Sequence, residues 1–295
     1  MSAPTLHTAS ILSAPKAQLE IGARKTPRIS SDEVLIKVTA SAINPIDWKL
    51  RDEFGSILNY PTVLGSNAAG VIVSVGDGIT DFAVGDRVLF QGIINDSDAS
   101  TFQQYCKMPA ALVAKTPGNI SDDQAAGVCL ATMAAFTALY SESGHGIQPP
   151  WSQGGEQFGR GKAIVILGGS SSVGQYAIQL AKMSGFEAII TNSSPAHFDT
   201  LLALGATTVL DRSAATTTEY AKAVGSLDVS LVLDAISIEA TNTEAEQGQD
   251  CTWWTFFFGN RVGYEQEGSE RHQDCDTVLE IKMKIFMPYQ MPNHL

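Results

Sequence analysis

Ala163-Ile164-Val165-Ile166-Leu167-Gly168-Gly169-Ser170-Ser171-Ser172-Val173-Gly174 is the stretch on which the fold turns. Five apolar residues in a row read as a strand buried on both faces, as in a parallel sheet. Small residues follow. Val173, Ala177, Leu180 and Ala181 then recur at helical spacing, and Gly185 closes the helix. Gly169 and Gly174 carry the spacing of the first and third glycines of G-x-G-x-x-G, with Ser171 in the middle place. Backbone N–H groups at such a helix start, helped by its dipole, hold a pyrophosphate, and the Ser171 hydroxyl can add a hydrogen bond. Gly169, Ser170, Ser171, Ser172, Val173 and Gly174 are therefore candidate cofactor-binding residues.

The next strand, Ala188 to Thr191, runs into Asn192-Ser193-Ser194-Pro195-Ala196-His197. An NAD site carries an acid there for the ribose hydroxyl. This chain has none, and a carboxylate would repel a 2′-phosphate. Ser193 and Ser194, with Pro195 and Ala196 beside them, favour NADPH. The same Ser-Ser-Pro also suits the start of a helix. Phe198 to Leu204 reads as a short helix, and Thr207–Leu210 and Val229–Ala235 as further strands. Strands alternating with helices give a doubly wound α/β sheet over 126–236.

Upstream, residues 1–125 have a different texture. Val34–Val38, Val71–Gly76 and Asp86–Phe90 are short β-type runs separated by turn residues, the mark of an antiparallel barrel or sandwich. Gly144–Gly161 is expected to be a loop. Downstream, 237–295 changes again. Thr241–Gln249 is polar and acidic, Trp253–Phe258 is an aromatic cluster, and Leu279–Ile285 alternates like an amphipathic strand.

Composition excludes several classes. The chain has 295 residues and a formal charge of −12, with 44% hydrophobic and 17% charged residues. That suits a globular protein of about two domains. The acidic balance argues against nucleic acid and anionic membrane as partners. No run is long and apolar enough for a transmembrane helix, and no secretory signal is seen. Cys106, Cys129, Cys251 and Cys275 lie far apart, so neither a disulfide framework nor a zinc cluster is expected. A reducing, cytoplasmic location follows as the default.

Leu64-Gly65-Ser66-Asn67-Ala68-Ala69-Gly70-Val71-Ile72-Val73-Ser74-Val75-Gly76 and Phe82-Ala83-Val84-Gly85-Asp86-Arg87-Val88, with Asn44-Pro45-Ile46-Asp47-Trp48-Lys49, resemble the medium-chain dehydrogenase/reductase family. The resemblance spans about 30–236. It implies a GroES-like β-rich catalytic domain over 1–125 and a Rossmann NADP-binding domain over 126–236, with the active site in the cleft between them. Alcohol dehydrogenases of the family carry Gly-His-Glu where this chain has Gly65-Ser66-Asn67. The zinc ligand is gone, and no metal is expected. The wording resembles quinone oxidoreductases and, most of all, fungal trans-acting enoyl reductases that partner polyketide synthases. By that resemblance Pro45, Ile46, Asp47 and Trp48 line the nicotinamide. Leu130, Ala131, Thr132, Met133, Ala134, Ala135, Phe136 and Thr137 lie along the substrate, although their apolar content fits an ordinary buried helix equally well.

The implied reaction reduces an activated C=C bond in a small or carrier-bound enoyl substrate. Lys49, Thr132 and Tyr105 are candidate donors to the enolate oxygen, and no catalytic residue is singled out. Arg212 is a candidate contact for the 2′-phosphate. The text after Ser237 departs from the family, which fits an altered splice or reading frame or a lineage-specific ending. A catalytically impaired or non-catalytic relative, binding nucleotide or a partner protein, stays open beside the active reductase.

Overall fold

The computed structural model describes residues 3–236. They fall into two units, divided between Leu130 and Ala131. The tail readings at Thr241–Gln249, Trp253–Phe258 and Leu279–Ile285 lie outside the described residues.

The first unit is β-rich, as its texture implied. Its strands are β1 (Leu6–Leu12), β2 (Leu19–Lys25) and β3 (Glu33–Ser41), then β4 (Thr62–Val63), β5 (Asn67–Val75), β6 (Arg87–Gln91), β7 (Tyr105–Pro109) and β8 (Val113–Lys115). A five-stranded antiparallel sheet runs β7-β3-β5-β6-β8, and a three-stranded one runs β2-β1-β4. Val34, Ile36, Ile72, Val88, Phe90 and Met108 alternate inward to form its core. Two positions along β3 and β5 shift register, and such bulges bend the strands. Helix α1 (Pro45–Asp52) follows β3, and α2 (Asp122–Ala126) precedes α3 (Cys129–Tyr140). Pro45 stands at the first helical position, where its missing N–H costs nothing.

The second unit has four parallel strands in the order β11 (Thr208–Asp211), β10 (Ala188–Ser193), β9 (Lys162–Leu167) and β12 (Asp228–Asp234). Helices α4 (Ser172–Met183), α5 (Phe198–Leu204) and α6 (Thr217–Val224) connect them. On one face Ile164, Ile166, Ile189, Leu231 and Leu233 meet Ala177, Ile178 and Ala181 of α4 and Leu201 of α5. Residues of α3 close the same core, where Tyr140 donates to or accepts from Ser184 Oγ at 2.8 Å. The opposite face, with Val165, Leu167, Ile190 and Val232, carries α6 through Tyr220, Ala223 and Val224. The mixed α/β architecture read from the sequence, a GroES-like β domain and a Rossmann sheet, is what the two units form.

Candidate functional site

The glycine-rich loop after β9 is set by three glycines, each for its own reason. Gly168 turns the chain out of β9 with φ of +75°, a left-handed conformation that suits glycine. A Cβ on Gly169 would run into the Thr191 side chain, and one on Gly174 into the carbonyl of Gly168. The loop is thus packed against the end of β10 with no room for side chains. Asn192 ties the two together: its Oδ1 accepts from Gly168 N at 2.7 Å, and its carbonyl accepts from Gly169 N at 3.1 Å. Thr191 Oγ1 donates to Ile166 O at 2.6 Å.

Ser171 is the N-cap of α4, and its Oγ accepts from Gly174 N at 3.0 Å. The Ser171 hydroxyl thus accepts from its own helix and keeps its proton to donate. The first N–H groups of α4, from Ser172 and Val173, have no partner within the helix and point out of its positive end. Such an end holds a diphosphate.

At the end of β10, Ser193 is buried at 2% exposure, and its Oγ has no hydrogen-bond partner among the described residues. A buried hydroxyl left unmatched costs about 1–3 kcal/mol, so a site for a ligand acceptor or donor is a reason to keep one there. Ser194 leads into a single turn at Pro195–His197 without capping it through its side chain. Ser194 is half-buried, and Pro195 and Ala196 are exposed. Arg212 N donates to Ser193 O at 3.0 Å, which puts Arg212 beside this strand end. Asp211, the neighbour of Ser193 in the sheet, turns its carboxylate onto Ser213 N (2.9 Å) and Oγ (2.7 Å).

In the first unit, Asp47 is the buried centre of a polar cluster. Its carboxylate accepts from Ser66 Oγ at 2.6 Å and from Asn44 N at 2.7 Å. Asp47 is 3% and Ser66 2% exposed. Burial pushes the Asp47 carboxyl above its usual range, against the pull of these hydrogen bonds. Next to Ser66, Asn67 Oδ1 accepts from Leu130 N at 3.2 Å, while its Nδ2 is buried without a partner among the described residues. Of the α1 residues singled out in the sequence, Ile46 and Asp47 face inward, and Pro45 and Trp48 lie on the surface. The Lys49 ammonium lies 5.6 Å from the centre of the Trp48 ring.

The substrate-assigned stretch Leu130–Thr137 lies on α3. Ala131 and Ala135 are buried, Met133 is exposed, and Phe136 stacks on Trp151 with ring centres 5.6 Å apart. Thr132 Oγ1 is buried without a partner among the described residues. Tyr105 stands on β7 with its ring edge-on to His7.

Zinc does not fit this site. Among the described residues no three His, Cys, Asp or Glu side chains gather to hold a metal. Ser66 also spends its hydroxyl proton on Asp47.

Residues 30–118 match the alcohol dehydrogenase GroES-like domain, and 172–247 match the zinc-binding dehydrogenase model. The trans-enoyl reductase tazE of Aspergillus terreus is 35% identical over 216 residues, covering 70% of this chain and 68% of that protein. The chain belongs to the medium-chain dehydrogenase/reductase family. Another member, the dehydrogenase pigH of Monascus ruber, is 38% identical over 215 residues, 70% of this chain. The chain spans 57% of the length of pigH and 60% of that of the trans-enoyl reductase tndF of Aspergillus flavipes. Among solved members, the quinone oxidoreductase of Coxiella burnetii shares the fold, with a TM-score of 0.64 at 20% identity over 96% of this chain and 88% of that one. The mycobacterial protein Rv1454c, solved in complex with NADPH, has a TM-score of 0.54 at 26% identity, covering 70% of this chain and 58% of that one.

Gly168 stands in the quoted glycine-rich stretch but not among the candidate cofactor residues, and Asn192 is not among them either. Gly168 was legible as the residue after the apolar run. Asn192 had no local signal, because its work is done on a residue 24 positions away.

Proposed function

We propose that the chain is a zinc-independent, NADPH-dependent reductase of an activated C=C bond. The observation that carries the reading is the end of β10. No carboxylate takes the ribose position there, and the buried Ser193 hydroxyl is unmatched beside Ser194 and Arg212. The glycine cradle at Gly168, Gly169 and Gly174 fits a diphosphate. Gly168–Val173 would hold the pyrophosphate, and Ser193, Ser194 and Arg212 the 2′-phosphate, with Pro195 and Ala196 beside it. Kinship to trans-enoyl reductases supports an enoyl thioester as substrate, free or on a carrier such as that of a polyketide synthase.

When bound, NADPH supplies the hydride for the β-carbon. The chain's own residues orient and polarise. Asp47, held by Ser66 and Asn44, fixes the turn that presents Pro45 and Trp48. Lys49, Thr132 and Tyr105 are the candidate donors for negative charge developing on the thioester oxygen. The α-carbon then takes a proton from one of these or from water. Leu130–Thr137 supplies apolar surface for the acyl chain.

Fluorescence titration with NADPH and NADH tests the nucleotide assignment. The parent should prefer NADPH, and Ser194→Asp should weaken NADPH far more than NADH. Equal affinity for the two cofactors would discard the argument from Ser193 and Ser194. No binding by folded protein would favour the non-catalytic alternative.

A further inference from the structure

One buried amide in the first unit is only half used. Asn67 opens β5 and is fully buried. Its backbone carbonyl accepts from Ser41 Oγ at 2.9 Å and from Thr101 Oγ1 at 3.3 Å. Its side-chain Oδ1 accepts from Leu130 N at 3.2 Å. A backbone N–H only donates, so this contact fixes which way round the amide stands. Oδ1 faces Leu130, and both protons of Nδ2 are left over. Nδ2 is shut off from solvent and has no hydrogen-bond partner among the described residues. Buried polar groups are nearly always paired, so an exception calls for a reason.

The neighbours do not supply one. Ser66 gives its proton to one oxygen of Asp47 at 2.6 Å, and the other takes Asn44 N at 2.7 Å. The Ser41 and Thr101 hydroxyls bond each other at 2.8 Å. The contact with Leu130 N, in the first turn of α3, needs only an oxygen. An amide adds neutral N–H groups, which suit an oxygen that gains negative charge. Asn67 also follows the place where alcohol dehydrogenases of the family carry the zinc-binding histidine. Zinc polarises a carbonyl as a Lewis acid. Here that place holds Ser66, whose proton is committed to Asp47, and the uncommitted N–H groups stand on the next residue.

We propose that Asn67 Nδ2 donates to the thioester carbonyl oxygen of the enoyl substrate and is a catalytic residue of its reduction. This rests on the reading of the chain as an enoyl reductase. As hydride from NADPH adds to the β-carbon, the C=C electron pair shifts through the α-carbon onto that oxygen, with NADPH oxidised to NADP+. Asn67 stabilises the resulting enolate without giving up a proton. The electron pair returns as the α-carbon takes its proton, and the carbonyl re-forms. Catalytic contacts of this kind often tighten only once the substrate is bound, and water-free surroundings strengthen them.

Two readouts on the full-length protein test this. Crotonyl-CoA labelled with ¹³C at the carbonyl is bound in the presence of NADP+, which cannot reduce it, and its carbonyl stretch is followed by difference infrared spectroscopy. In the parent the stretch should fall below its frequency in water. Asn67→Asp keeps the oxygen for Leu130 N and loses both N–H groups, so the extra shift should disappear. With NADPH the same variant should lower kcat roughly a hundredfold or more, while KM and NADPH affinity stay within a few-fold of the parent. Its kcat should recover towards low pH, where the new carboxyl regains a proton to donate. Asp47 is common to both proteins, so the difference between their pH profiles belongs to residue 67. Asn67→Leu, uncharged and of similar shape, repeats the infrared comparison if the new carboxylate unfolds the protein. An unshifted carbonyl in the parent, or a shift and kcat unchanged in the variants, would overturn the inference and leave the reductase reading standing. A parent that shifts the carbonyl through Asn67 yet oxidises no NADPH would refute the reductase reading and keep Asn67 as a carbonyl-binding group only.

Discussion

Asn192→Ala should unseat the phosphate loop. In the native chain Asn192 Oδ1 accepts from Gly168 N at 2.7 Å, and the residue is 7% exposed. Alanine keeps the backbone bond to Gly169 and removes the acceptor for Gly168. A backbone N–H left without a partner in a part-buried place costs about 1–3 kcal/mol. With a slope of roughly 1–3 kcal/mol/M in urea, the unfolding midpoint of the unit carrying β9 should drop by about 1 M. If the same energy is lost from the folded loop's fit to the diphosphate, NADPH binding weakens by roughly fivefold to a hundredfold. Urea denaturation followed by circular dichroism and NADPH fluorescence titration read the two effects. Asn192→Leu separates the cause, because it fills the space and still lacks the acceptor. A Leu variant matching the parent in midpoint and affinity would refute the hydrogen-bond argument and leave packing as the explanation.

Gly174→Ala drives a methyl group into the carbonyl of Gly168, which cannot rotate away; overpacking of this kind costs about 1–3 kcal/mol, and NADPH binding should be lost with it. Thermal unfolding with and without NADPH checks this, and a parent-like ligand-induced rise in Tm would contradict it. Burial holds the folded pKa of Asp47 above that of an unfolded aspartate. The stabilisation of its protonated form is complete below the unfolded value of about 3.9 and is lost as pH rises through the folded value. Asp47→Asn, which does not titrate, should therefore gain on the parent in urea midpoint as pH rises across that window, and a constant gap would count against it. Burial pushes the Cys129 thiol up to about 12, and that of Cys106 is raised further. Mass spectrometry after brief alkylation of native protein should find Cys106 unmodified and the half-buried Cys129 labelled more slowly than in the unfolded chain, and labelling of Cys106 before unfolding would contradict its burial.

Much of the fold was legible because its determinants are local. The run Ala163–Leu167, the small residues after it and the apolar spacing through Ala181 specify strand, turn and helix within twenty residues. What stayed hidden depends on partners distant in sequence, or on weak local patterns. Helix α6 escaped notice because it buries no residue and begins with two threonines, which are poor helix formers. Asn44–Lys49 stood out in the sequence only through the family resemblance. In the folded chain Pro45 starts a helix whose residue Asp47 is anchored by Ser66, 19 positions away. Ser171 looked like a phosphate ligand because the motif places a small residue there. Its second task, capping its own helix by accepting from Gly174 N while the hydroxyl proton stays available, shows only in the folded chain.

The most direct test of the proposed chemistry is hydride tracing with NADPH deuterated at the transferred position and an enoyl thioester such as crotonyl-CoA. The account predicts oxidation of the cofactor and one deuterium at the β-carbon of the saturated thioester. Deuterium on the carbonyl carbon, or no cofactor oxidation by folded, NADPH-binding protein, would contradict it.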